Sequence, residues 1–206
     1  SAITMALWCS IRTFAKHAVE LGNPQPLEPV FFVKPNNCIQ TQDSIQVSAH
    51  PGSVHHEVEC VILLGDDLQI QSIGVGLDLT DRDTQSKLRE QQLPWSKGKC
   101  FRSSAVIGNM VDWPKPFDSL SGNSCELMLT LTVNGEIRQN EKLSAMTIDP
   151  KSQIDSLKSW APVQSGDFLF TGTPSGVAQL YQGDHVIATL QNLDGEVISR
   201  IESVCV

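Results

Sequence analysis

Long apolar runs are missing from this chain of 206 residues. None approaches the roughly 18 residues that a membrane helix needs, so no membrane span is predicted. The first residues also lack a basic stretch followed by an apolar one, the pattern of a secretory leader. Basic clusters are scarce: residues 87–89 and 97–99 are the short ones, and both read as solvated faces. The formal net charge is −8, with the acids spread along the chain rather than gathered in a tail. Nucleic-acid backbones call for clustered lysine and arginine, so nucleic acid is not an expected partner. No CxxC pair occurs among the six cysteines, and their spacings are wide. A chain of this length needs no covalent staples. The predicted thiols are free, and the predicted compartment is reducing and cytoplasmic.

What the chain does contain is many short apolar segments. Residues 4–9, 30–33, 45–47, 57–64, 73–79 and 168–170 each read as a strand. Leu127, Leu129, Leu131 and Val133 alternate with polar residues and run into Asn134-Gly135, the favoured two-residue hairpin turn. Residues 186–190 and 197–206 form a second hairpin around Asp194-Gly195. Helices are fewer. Residues 14–21 allow one or two turns, 80–92 a longer helix capped by Thr80 or Asp81, and 154–160 a short one. Residues 112–123 read as an excursion loop. With no fixed repeat and no dividing linker, the prediction is a single α+β domain over residues 1–206, strand-rich and largely antiparallel.

The chemistry concentrates in His55-His56-Glu57-Val58-Glu59. Glutamates at i and i+2 on a strand point the same way. Burying both without a positive partner is costly, and a hard divalent cation suits two carboxylates. A strand edge with two solvated glutamates is the alternative, and spacing alone leaves both open. Asp78 closes an apolar strand, where an acid is either a cap or a third ligand. Zinc is disfavoured, since neighbouring histidines on a strand face opposite ways. The glycine-rich residues 171–176 lack the Lys-Ser/Thr that follows a phosphate loop, so nucleotide binding is rejected.

Several blocks, taken in order, carry a resemblance. They are His55-His56-Glu57-Val58-Glu59, then Gly76-Leu77-Asp78-Leu79-Thr80-Asp81-Arg82-Asp83-Thr84-Gln85, then Pro94-Trp95 with Lys99. Val133-Asn134-Gly135-Glu136, Gly166-Asp167 and Thr171-Gly172-Thr173-Pro174-Ser175-Gly176-Val177 continue the series. Together they resemble the fumarylacetoacetate hydrolase family, in its short acylpyruvate (fumarylpyruvate) hydrolase branch. The likeness runs from about residue 11 to the C-terminus.

That resemblance implies a mixed β-sandwich or roll with few short helices, assembled as a homodimer. It implies Mg²⁺ or Mn²⁺ on Glu57, Glu59 and Asp78. His17, held by Glu20, is the expected base, and Lys99 the expected partner of the oxyanion. Arg12, Lys34, Gln85 and Thr173 are the expected substrate contacts, Thr173 near a carboxylate. The implied reaction is hydrolysis of a carbon–carbon bond in a small β-diketo acid, releasing pyruvate and a carboxylic acid. Relatives in the family decarboxylate oxaloacetate or interconvert its keto and enol forms, which is the alternative; a non-catalytic scaffold is a third. Two departures stand out. Arg12-Thr13-Phe14 replaces the usual Arg-Asn-Tyr, and the connection at residues 65–73 is short for the family, which bears on where Asp78 falls. Arg82 and Asp83 read as a structural ion pair.

Overall fold

The computed structural model describes residues 5–15, 22 and 26–206. Residues 4, His17 and Glu20, and with them most of the helix predicted at 14–21, lie outside these. Within them, Phe14 pairs with Met146 in an isolated bridge.

The chain opens with β1 (Ala6–Ser10) and β2 (Phe31–Pro35), an antiparallel pair. The short β3 (Val54–His55) leads to β4 (Val58–Leu64), which turns into β5 (Ile70–Asp78). Later come β7 (Ala105–Ile107), β8 (Val111–Asp112) and β11 (Phe168–Phe170). These build a seven-stranded sheet in the order β2-β1-β11-β4-β5-β7, with β8 also on β5. β1 and β11 run parallel, so a strand near the start of the chain lies beside one late in it. The second sheet has four strands. The hairpin β9 (Leu127–Val133) and β10 (Glu136–Lys142) joins β12 (His185–Asn192) and β13 (Val197–Val204) in the order β10-β9-β12-β13.

β4 shows why the two sheets pack. Val58, Cys60, Ile62 and Leu64 share one face and join Leu129, Leu131, Ala188 and Leu190 of the second sheet in the main core. Val61 points the other way, into a smaller cluster with Leu7, Cys9 and Phe170. A strand covered on both faces reads as a nearly continuous apolar run, as residues 60–64 do. Glu59 on such a strand, with Glu57 just before it, is therefore a structural exception that needs a reason.

The predicted hairpin is present: Val133 pairs with Glu136, and Asn134 and Gly135 both take positive φ, 53° and 82°. The short connection at residues 65–73 is a tight 3-10 turn, Asp66–Leu68, closed by Gly65 N–H to the Gln69 carbonyl at 2.9 Å. All six cysteines are free thiols. Among the described residues no helix is long and apolar enough to cross a membrane.

Other expectations shift. Residues 45–47 form no strand; Ile45 makes only an isolated bridge to Cys205. Thr80–Asp81 is not helical but a two-residue strand, β6, paired with β3. The helix is α1 (Arg82–Glu90), capped by Asp81, whose carboxylate accepts from Thr84 N–H. The last helix, α3, spans Pro150–Trp160 and starts a turn earlier than predicted. Asp149 as cap and proline in the first turn are its signals. The loop at 112–123 opens on the end of β8 and includes the 3-10 turn Phe117–Leu120, which buries Phe117 and Leu120.

Candidate metal and substrate site

Register brings the carboxylates together. Val58 pairs with Leu77 and Glu59 with Gly76, and Asp78 N–H donates to the Glu57 carbonyl at 2.9 Å. Directly opposed residues share a face, so Asp78 stands across from Glu57 beside Glu59. Their ligand atoms lie within 4.8 Å of one another, and all three residues are buried. The tight turn at 66–68 thus leaves Asp78 in register despite the short connection. A Cβ on Gly76 would sit 2.4 Å from Val61 Cγ2, so only glycine fits beside the trio.

Among the described residues Lys34, Arg82 and Lys99 form ion pairs with Glu57 or Asp78 of the trio. Lys99 ends α2 (Ser96–Lys99), a single turn begun by Trp95, whose carbonyl accepts from Gly98 and Lys99 N–H. Its Nζ donates to Glu57 Oε2 at 3.0 Å, Asp78 Oδ2 at 2.8 Å and Thr80 Oγ1 at 2.7 Å. An ammonium has three protons, and all three are engaged. Burial lowers the Lys99 pKa, but Asp78 and then Glu57 outweigh it and hold it raised. Lys99, expected as a partner of the oxyanion, is here a charged bridge between carboxylates.

Lys34 departs further from expectation. It is fully buried, with Nζ 2.6 Å from Asp78 Oδ1, and donates to the carbonyls of Leu79 at 3.0 Å and Ser104 at 2.6 Å. It is not among the residues that line the cavity around the trio. Arg82 corrects the ion-pair expectation: its Nη2 contacts Glu57 Oε1, while Asp83 accepts from the Ser53 hydroxyl at 2.9 Å.

Glu59 is the exception within the trio. It is 1 % exposed, and among the described residues no lysine or arginine contacts it. Among the described residues its one hydrogen-bond partner is Gly172 N–H, 2.8 Å from Oε2. Burial first, then the charges of Asp78 and Glu57, push its pKa well above the ordinary carboxylate range. A buried carboxylate beside two others calls for a further cation. Three hard oxygen donors this close fit an ion of the Mg²⁺ or Mn²⁺ kind.

The trio opens on a cavity of about 40 Å³ that is also lined by Arg12, Arg82, Gln85, Lys99 and Thr173. Such a volume exceeds what one water needs. A wider space of about 370 Å³ adjoins it, sharing Ile11, Phe32, Trp95 and Lys99 and otherwise mostly apolar. Arg12 holds a left-handed φ of 54° at the cavity wall, a conformation that non-glycine residues rarely adopt. Gln85 is buried on α1, and among the described residues its Oε1 has no partner. Thr173 is buried in the loop after β11 and accepts from Gln139 Nε2 at 2.8 Å. Of the predicted residues, then, Glu57, Glu59, Asp78, Lys99, Arg12, Gln85 and Thr173 line one cavity. Lys34 does not, and His17 and Glu20 lie outside the described residues. Arg82 and Gln139 were not singled out for the site. Arg82 carried a weak signal at the start of α1, close to Asp78, whereas Gln139 carried none.

Two packed sheets enclose a buried carboxylate trio, edged by lysine and arginine, whose three ligand atoms could hold a metal ion. The chain belongs to the fumarylacetoacetate hydrolase family: residues 6–202 match the fumarylacetoacetate (FAA) hydrolase C-terminal family. It is 34 % identical over 192 residues to the oxaloacetate tautomerase YcgM of Escherichia coli, covering 88 % of this chain and 86 % of that one. It is 32 % identical to a mitochondrial oxaloacetate decarboxylase of Dictyostelium discoideum, covering 90 % and 88 %. Fumarylpyruvate hydrolase from Pseudomonas aeruginosa, solved with Mn²⁺ and pyruvate, superposes with a TM-score of 0.82 at 27 % identity, covering 98 % and 89 %.

Proposed function

We propose that this chain is a metal-dependent enzyme that interconverts the keto and enol forms of oxaloacetate, with decarboxylation of the same substrate as a related outcome. The observation that carries the reading is the buried, close-set trio Glu57, Glu59 and Asp78. The relatives named for oxaloacetate chemistry support the choice of substrate. Mg²⁺ or Mn²⁺ held by the trio would supply Lewis-acid stabilisation of the enolate charge. Thr173 would donate to the substrate carboxylate, and Gln85 and Arg12 would orient the rest of the molecule from the cavity wall. Lys99 stays protonated, so its part is electrostatic: it bridges Glu57 and Asp78 and adds positive charge where the oxyanion grows. The proton itself is assigned to His17, oriented by Glu20, on the family resemblance. The same resemblance supplies the homodimer and the single-domain organisation, and the free cysteines support a reducing compartment.

A second reading is hydrolysis of an acylpyruvate. It is favoured by the likeness to fumarylpyruvate hydrolase and by the mostly apolar space beside the trio, which suits an acyl chain. One panel separates the two. Purified protein with Mn²⁺ is given enol-oxaloacetate and fumarylpyruvate, and enol decay, carbon dioxide and pyruvate are followed. Metal-dependent enol decay without fumarylpyruvate cleavage is the expected result. Cleavage of fumarylpyruvate alone would replace the first reading with the second, and inactivity on both would remove the two together.

A further inference from the structure

Gln139 lies on β10, in the second sheet, yet it is 1 % exposed and its amide reaches the site from behind. Its Oε1 accepts from Val58 N–H at 3.1 Å, and its Nε2 donates to the Pro174 carbonyl at 2.8 Å. A backbone N–H only donates and a backbone carbonyl only accepts. These two contacts therefore settle which end of the amide is oxygen, the usual ambiguity of a glutamine. The second Nε2 proton goes to Thr173 Oγ1 at 2.8 Å.

The consequence falls on Thr173. Its oxygen is already an acceptor, so its own proton must leave in another direction. Among the described residues no protein acceptor takes it, and Thr173 lines the cavity. The contact with His56 agrees with this polarity: Oε1 can only accept, so the Nδ1 that lies 2.9 Å away carries a proton. The same amide thus ties the strand of Glu57 and Glu59, through His56 and Val58, to the loop of Thr173 and Pro174.

We propose that Gln139 is a positioning residue that aims the Thr173 hydroxyl proton into the cavity, presetting a donor for the carboxylate of an α-keto acid. The inference rests on the proposed function for the identity of that carboxylate. It extends the site to a residue on the second sheet that touches neither the carboxylate trio nor the cavity.

The test uses the full chain loaded with Mn²⁺ and titrated with pyruvate in a calorimeter. Gln139→Met and Thr173→Val should each weaken pyruvate binding by about tenfold or more, the usual effect of losing a hydrogen bond to a charged group. The double variant should bind no more weakly than Thr173→Val alone, because no hydroxyl remains to be aimed. Thr173→Ser should keep the parent affinity, and Mn²⁺ affinity should hold throughout. Additive losses in the double variant, parent-like binding by Gln139→Met, or loss of Mn²⁺ along with pyruvate would each overturn the role. A measurement on the unaltered chain guards against a variant that does not fold. Nitrogen chemical shifts of His56 should show the proton on Nδ1, and a proton on Nε2 alone would reverse the amide and overturn the inference. If the parent itself binds no pyruvate, the proposed function fails first and takes this role with it, an outcome distinct from parent binding without coupling.

Discussion

Glu59 carries the most unbalanced charge in the site, and its effect has a sign. Unfolded, its carboxyl titrates near 4.5; folded and without metal, the value is raised well above that. Between those two pH values the folded state keeps a proton that the unfolded state has released. Stability of the metal-free protein should therefore fall as pH rises from about 4.5, by up to about 1.4 kcal/mol per pH unit. Glu59→Gln should flatten this slope and make the metal-free chain the more stable one at neutral pH, while losing the gain that Mn²⁺ gives the parent. Urea midpoints against pH, with chelator and with Mn²⁺, check both statements; a parent midpoint that rises with pH in chelator would contradict them. At this scale the sequence was informative about residue type and less so about partner. Two glutamates at i and i+2 were visible as a pair. That Lys34 would turn inward to Asp78 and two carbonyls, or that Arg82 would choose Glu57 over Asp83, depends on which strands lie side by side.

At the scale of elements, the site depends on a hairpin and a loop. The β4–β5 hairpin was legible in its apolar residues, but not its register, which the turn at 66–68 decides. Asn134-Gly135 was fully legible because a turn with two positive φ values selects those residues. The helix predicted from Thr80 began later because Thr80–Asp81 found a strand partner in Val54–His55, a contact no local pattern encodes. Gly172 illustrates a loop constraint of the same non-local kind. It has a φ of +103°, and a Cβ there would lie 1.9 Å from Thr13 Oγ1, the hydroxyl that donates to the Thr171 carbonyl at 2.7 Å. Gly172→Ala would combine an unfavourable backbone conformation with that clash, at a cost of about 1–3 kcal/mol. It would also move the N–H that meets Glu59. Both the thermal midpoint and the Mn²⁺ affinity should drop. A variant that lost neither would show that the loop relaxes without consequence.

On the scale of the whole molecule, the seven-stranded sheet has an order that the chain does not follow. β11 lies between β1 and β4, so until residues 168–170 arrive those two strands have open edges facing each other. The four-stranded sheet contains two hairpins of neighbouring strands and needs less long-range search. Pulse-labelled hydrogen exchange during refolding should find the β9–β10 and β12–β13 amides protected before those joining β1, β11 and β4; the reverse order would contradict this.

The place of β11 also sets a timetable for synthesis. A ribosome releases β1, β2, β4 and β5 well before it makes the strand that joins them. For that interval the nascent chain exposes two unpaired strand edges, the kind of surface that invites sticking to other chains. The peptide that ends the exposure runs directly into Gly172 and Thr173, so sealing the sheet and delivering the N–H that meets Glu59 are one event. A chain cut off before residue 168 would therefore lack both, and the newborn protein completes its carboxylate pocket only at the stage when it ceases to be adhesive.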